Sequence, residues 1–191
     1  MSIRCFIAIE IENYEVLKEI IKVKEELLRR GLDIKLVEDE NIHLTLRFLG
    51  NISQNSVEVV KKILSSSSQI INRFEIEIRG LGVFPSIGNP RVIWVGVGKG
   101  VEELYQIRKI IDQEISKNKL YDVHKDEQEF RPHITLARVK SRRNIESFYD
   151  FYKRYSDYLF GVSSVTKIKL KQSILRPQGP IYHDIFIVSL R

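Results

Sequence analysis

Cysteine is nearly missing from this chain: Cys5 is the single one in 191 residues. One thiol excludes an internal disulfide and any cysteine-rich metal site. No apolar run approaches the roughly 20 residues of a membrane-spanning helix, and the longest uncharged stretches are strand-sized. The start, MSIRCFIAIEIENYEV, carries Glu10 and lacks the long apolar region of a secretory signal. A soluble protein of a reducing compartment, the cytoplasm, is the expectation. Low-complexity sequence is scarce too, since SSSS at 65–68 is too short for a linker. The scarcity that matters most is threonine, present only as Thr45, Thr135 and Thr166.

Hydrophobic residues make up 43% of the chain, ample for a core. The length falls between one large domain and two small ones. The net charge is +6 and the pI about 9.3. Such a surplus favours an anionic partner, but it points to a site only where cations gather.

Along the chain, the pattern predicts a strand at 3–9 and a helix at about 14–30, with Asn13 as N-cap and Gly31 as C-terminal stop. A strand around His43 follows, then a helix at about 54–67 capped by Ser53. The alternating strand 74–79 leads into the turn-rich GLGVFPSIGNP at 80–90. From there the order repeats. A strand at 91–97, a helix at about 101–117, a strand at His133 and a helix at about 145–158 opened by Asn144 lead to a strand at 166–172. SILRPQGP at 173–180 then echoes GVFPSIGNP, and a last strand occupies 184–190. The landmarks recur at an offset near ninety residues with no linker between them. We expect one domain over 1–191, made of two similar lobes (repeats of about 1–90 and 91–183) that share one site.

The chemistry sits in NIHLTLRFLG at 41–50 and RPHITLARVK at 131–140. Side chains alternate faces along a strand. Ile42, Leu44, Leu46 and Phe48 therefore share an apolar face, and His43, Thr45 and Arg47 the opposite one. In the second motif Ile134 and Leu136 face the core, while Arg131, His133, Thr135 and Ala137 point away. A lone histidine on a strand is usually structural. Four histidines and three threonines placed at random over this length give roughly 0.06 HxT matches, however, and here there are two. Both occupy the same slot of the repeat.

Two imidazoles facing one groove suit general acid–base chemistry, because a pKa near 6.5 lets one ring be neutral and the other protonated. A phosphodiester fits, with attack from one side and departure from the other. The Thr45 and Thr135 hydroxyls can donate to non-bridging oxygens, and an arginine can neutralise developing charge. Two histidines without paired carboxylates or thiolates fall short of a metal site. No serine lies in a nucleophile elbow.

HLTL and HITL resemble the HxTx motifs of the two-histidine phosphoesterases. With RCFIAIEI, GVFPSIGNPRVIWVGV and SILRPQGPIY, the whole chain is similar to their RNA 2',3'-cyclic phosphodiesterase branch, also called 2'-5' RNA ligase. The resemblance implies a two-lobed α+β fold with a pseudo-twofold axis: β-α-β-α-β units whose antiparallel sheets form a central groove, helices outside. It implies hydrolysis of RNA 2',3'-cyclic phosphate ends to 2'-phosphomonoesters without metal or other cofactor. His43 would be the proton donor and His133 the proton acceptor, roles that sequence physics does not assign. Arg138 matches an arginine that contacts phosphate in relatives. Strict alternation puts Arg138 on the core face, so the strand must bulge, twist or end before it. Arg131 has the correct parity and is the next candidate, Arg47 a third.

Among the rest, Phe48 could stack on a base but parity places it in the core, and Trp94 and Cys5 read as packing. His124 reads as exposed, and His183 with Tyr182 as a turn in preference to a nucleobase contact. The run Arg138, Lys140, Arg142, Arg143 reads either as a hold on RNA phosphates or as a solvated edge. The partner expected is an RNA end carrying a cyclic phosphate, possible tRNA fragments included, with no membrane or protein partner and a monomer sufficient. Competing functions are 2'-5' joining of tRNA halves and a non-catalytic nucleotide or RNA-binding module.

Overall fold

A computed structural model describes residues 2–126, 129–177 and 179–191. In chain order the elements are β1 (Ser2–Ile9), α1 (Tyr14–Leu28), β2 (Ile34–Leu36), a 3-10 turn (Asp39–Asn41), β3 (Leu44–Ser53), α2 (Gln54–Ser68) and β4 (Phe74–Phe84). They continue as β5 (Val92–Val97), α3 (Val101–Lys117), β6 (His133–Val139), α4 (Glu146–Tyr155), β7 (Leu159–Val165), β8 (Lys167–Ile174) and β9 (Ile181–Ser189).

The helix ends follow local chemistry. The Asn13 side chain accepts the backbone N–H groups of Glu15 and Val16, and Ser53 accepts that of Ser56, so both predicted N-caps are made. Gly31, just past α1, has φ +69°, which costs a glycine little. Asn144 does not cap α4: its φ is +58°, and its side-chain amide donates instead to the Gly31 carbonyl. The fourth helix also stops at Tyr155, short of the predicted 158, because the chain turns there into β7.

All strand pairs are antiparallel, in the order β7-β4-β5-β6-β3-β1-β8-β9, with β2 added beside β6. The order is symmetric about the β6–β3 junction, where the ladder is a single pair, Leu44 with Ile134. The sheet splays here into two lobes. The two repeats interleave: β4, from the first, lies between β5 and β7 of the second, while β8 lies beside β1 of the first. Helices cross over in the same way. Helix α1 packs on β7 and β2, whereas α3 packs on β3 and α2. The apolar stripes of α1 (Val16, Ile20, Val23, Leu27) and α3 (Leu104, Ile107, Ile111, Ile115) close the outer core. The inner sheet face is left lining a groove.

Candidate active site

Both histidines stand where β3 and β6 part. Counted outward from the Leu44–Ile134 pair, His43 and Thr135 come next on one side, Thr45 and His133 on the other. All four line one cavity of about 410 Å³, together with Phe6, Phe48, Arg138, Tyr182 and residues of β2 and the β8–β9 loop.

The two rings are held alike. The Nδ1–H of His43 donates to the Asn41 carbonyl at 2.7 Å, and that of His133 to the Arg131 carbonyl at 2.7 Å. A carbonyl only accepts, so the proton is on Nδ1 and each Nε2 carries a lone pair when the ring is neutral, that of His43 accepting from the Thr45 hydroxyl. The Thr45 hydroxyl lies 3.0 Å from His43 Nε2. Asn41 is itself braced, its amide donating to the Pro180 carbonyl at 3.1 Å. Aromatic rings wall each imidazole. Phe6 and Tyr182 stand 4.9 and 5.3 Å from His43; Phe84 and Trp94 stand 5.0 and 5.9 Å from His133. Trp94 lies flat across Gly82, where an added Cβ would fall 2.1 Å from its ring.

Burial decides the protonation of the two rings. Desolvation pushes the His43 pKa down to about 4, opposed by the Asn41 carbonyl; the Lys171 charge lowers it further and Glu10 opposes. His133 is also held below the ordinary imidazole value, first by burial, with the Arg131 carbonyl opposing and Arg138 adding to the shift. Lys171 is buried behind His43, its ammonium held by Glu10 and Asp184.

Of the bulge, twist or strand end that Arg138 requires, β6 has the bulge. The β5–β6 register shifts between the Ile93–Ala137 and Trp94–Thr135 pairs, so Leu136 and Ala137 are both buried and Arg138 turns to the groove. Strand β3 shifts in the same place, between the Ile7–Arg47 and Ala8–Thr45 pairs. There the alternation rule fails. Phe48 does not enter the core but lines the cavity, and Arg47 goes under the sheet to Asp112 at 2.8 Å. Arg47 is thus removed from the groove. Arg131 is outside the cavity, paired with Glu129 at 3.0 Å. His124 is exposed, as expected. Tyr182 and His183 belong to β9 rather than a turn, with Tyr182 on the cavity and His183 exposed.

Phe6, Arg4, Lys35 and Asn41 also line the cavity, and the sequence gives little sign of them. Phe6 lies in an unbroken apolar run, and Lys35 in a strand of three residues. Among the described residues, no three His, Cys, Asp or Glu side chains converge as metal ligands, and no helix is long and apolar enough to cross a membrane.

Known proteins share this sequence pattern and this fold. The AKAP7 2'5' RNA ligase-like domain matches residues 5–189. The chain belongs to the RNA 2',3'-cyclic phosphodiesterase family of enzymes. The RNA 2',3'-cyclic phosphodiesterase of Aeropyrum pernix is 40% identical over 168 residues, 88% of this chain and 93% of the relative. That of Methanothermobacter thermautotrophicus is 30% identical over 191 residues and all of both chains. The crystal structure of TT0787 of Thermus thermophilus superimposes with a TM-score of 0.83 at 26% identity, covering 98% of each chain. The fold is therefore that of the two-histidine phosphoesterases, with a curled antiparallel sheet and the helices outside.

Proposed function

We propose that the chain hydrolyses the 2',3'-cyclic phosphate at an RNA end to a 2'-phosphomonoester, His43 and His133 acting as general acid and base. One observation carries this: both Nδ1–H groups are committed to carbonyls, so both Nε2 atoms, that of His43 beside the Thr45 hydroxyl, are turned to the same cavity. Water attacks phosphorus as His133 Nε2 takes its proton. The bond from phosphorus to the 3' oxygen breaks, and that oxygen receives the Nε2 proton of His43, which enters the step as the imidazolium. The direction of the two roles follows the family pattern.

Thr45 and Thr135 donate to non-bridging oxygens, and Arg138, on the cavity, offsets the charge that grows in the transition state. Arg131, engaged by Glu129, is the weaker candidate. No metal or cofactor takes part. All of these groups come from one chain, so a monomer suffices and both lobes act as one domain. A single buried cysteine, with no partner for a disulfide, suits a cytoplasmic protein.

The test is incubation with a nucleoside 2',3'-cyclic phosphate in EDTA and identification of the product. Turnover to the 2'-monoester should persist, and His43→Ala or His133→Ala should each lower kcat by about 10²–10⁴-fold. Turnover lost to the chelator, or retained by either variant, would sink the mechanism. Tight binding with no turnover across cyclic phosphates would favour a binding module instead. A 2'-5' linkage formed from tRNA halves would identify the joining reaction.

A further inference from the structure

Most arginines of this protein already have a partner. Arg29, Arg30, Arg47, Arg79, Arg108, Arg131 and Arg154 are ion-paired. Arg73 and Arg191 donate to the Leu190 carbonyl and the Asn72 side chain. Arg4 lies over the Phe48 ring, 4.7 Å from its centroid. Among the described residues, Arg91, Arg138, Arg142, Arg143 and Arg176 have neither an ion pair nor a side-chain hydrogen bond, and all five are exposed.

These five gather at one end of the groove. Arg138 lines the cavity, and Arg142 and Arg143 follow it after the end of β6. The Arg91 carbonyl accepts the Val139 N–H, which puts Arg91 at the same strand end. Arg176 belongs to the β8–β9 loop, whose Gly179 lies against Lys35, and Lys35 is the cross-strand partner of Arg138. Counted from the β6–β3 junction, Phe48 holds the position in its motif that Arg138 holds in the other. One end of the groove therefore holds Phe48 with Arg4 over its ring, and the other gathers the exposed arginines.

Resting on the function proposed above, we infer that this end is a track for the phosphates of a single-stranded RNA, so that the preferred substrate is a polynucleotide with the chain leaving over Arg138, Arg142 and Arg143. The terminal nucleobase lies toward Phe48. Exposed, unpaired guanidiniums facing solvent release counterions from a phosphate chain at no cost in broken ion pairs. Backbone contacts of this kind bind without reading sequence.

The test compares a nucleoside 2',3'-cyclic phosphate with a short oligoribonucleotide ending in the same group, across a salt series. For the oligonucleotide, log(kcat/KM) should fall against log[salt] with a slope of roughly 0.7 for each phosphate contacted. The mononucleotide should show a much shallower slope. The double variant Arg142→Gln, Arg143→Gln should lower oligonucleotide kcat/KM about tenfold at low salt and reduce its slope by up to roughly 1.4. Mononucleotide turnover should be unchanged. Equal slopes for the two substrates, or equal losses in the double variant, would overturn the track. If the wild type turns over neither substrate, the reading of the reaction has failed, and the track is judged by fluorescent oligoribonucleotide binding. Affinity unchanged in the double variant then overturns it, and a salt-dependent loss supports it.

Discussion

At the scale of single residues, the pH behaviour of the two imidazoles is set by what surrounds each Nε2. Phe6 and Tyr182 dry out His43, while Phe84 and Trp94 flank His133. Neither wall supplies a carboxylate to hold an imidazolium, so burial pushes His43 down to about 4 and His133 below its ordinary value. In the free protein near neutrality both rings are neutral. A cyclic phosphodiester stays anionic throughout this range, and its charge favours the protonated form of whichever ring it touches. The kcat/KM profile reports free-enzyme groups and kcat those of the complex. One protonated and one neutral ring are needed, so kcat/KM should peak below pH 6.5 and kcat at a higher pH. Rate profiles of both constants from acid to alkaline pH make the comparison. Coincident maxima at or above neutrality would mean that neither histidine is the titrating group.

At the scale of strands, the site depends on two bulges stabilised by different means. A bulge leaves carbonyls without ladder partners, and those must be satisfied elsewhere. In β6 the Leu136 carbonyl accepts the Val37 N–H at 2.8 Å, next to β2. In β3 the Leu46 carbonyl accepts the Arg108 guanidinium at 3.0 Å, and Arg47 donates to the Phe48 carbonyl at 2.9 Å. Asp112 holds both arginines, at 2.8 and 2.6 Å. Arg108→Gln leaves a buried carbonyl unpaired, at a stability cost of about 1–3 kcal/mol. It should also lower kcat by roughly ten- to a hundredfold as the His43 strand shifts. Ile111→Ala, in the same helix but in the core, should lose comparable stability and keep kcat. Equal kcat losses at matched thermal stability would reduce Arg108 to a packing role. Alternation alone finds His43, Thr45, His133 and Thr135, because they precede the bulges. It misplaces Arg47 and Phe48, because they follow one. Arg138 is recovered only by allowing a bulge that nothing in HITLARV signals. The short β2 is hard to read from three residues. Strand β7 is hidden by its serines and Gly161, and Ser163 faces inward because its hydroxyl accepts the Glu12 and Asn13 N–H groups.

At the scale of the molecule, the order of the repeats is legible while their pairing is not, since similar units can pair within themselves or exchange strands. Here they exchange. Residues 1–90 on their own retain the β1–β3 pair but leave β4 without β5 and β7, and α1 without β7. The remainder keeps the β5–β6 and β8–β9 pairs while β7 loses β4, and α3 loses its seat on β3 and α2. An isolated two-stranded ribbon is marginal in water, so neither half should fold alone. The intact chain, with helices crossing between lobes, should unfold in one cooperative step. Separately expressed halves, cut between β4 and β5, should show weak circular dichroism and no thermal transition. Mixing them should recover helical signal and turnover together, because each completes the other's sheet and brings His43 beside His133. A cooperative melt from either half alone would mean that each repeat pairs within itself, and that the shared groove is not what holds the lobes together.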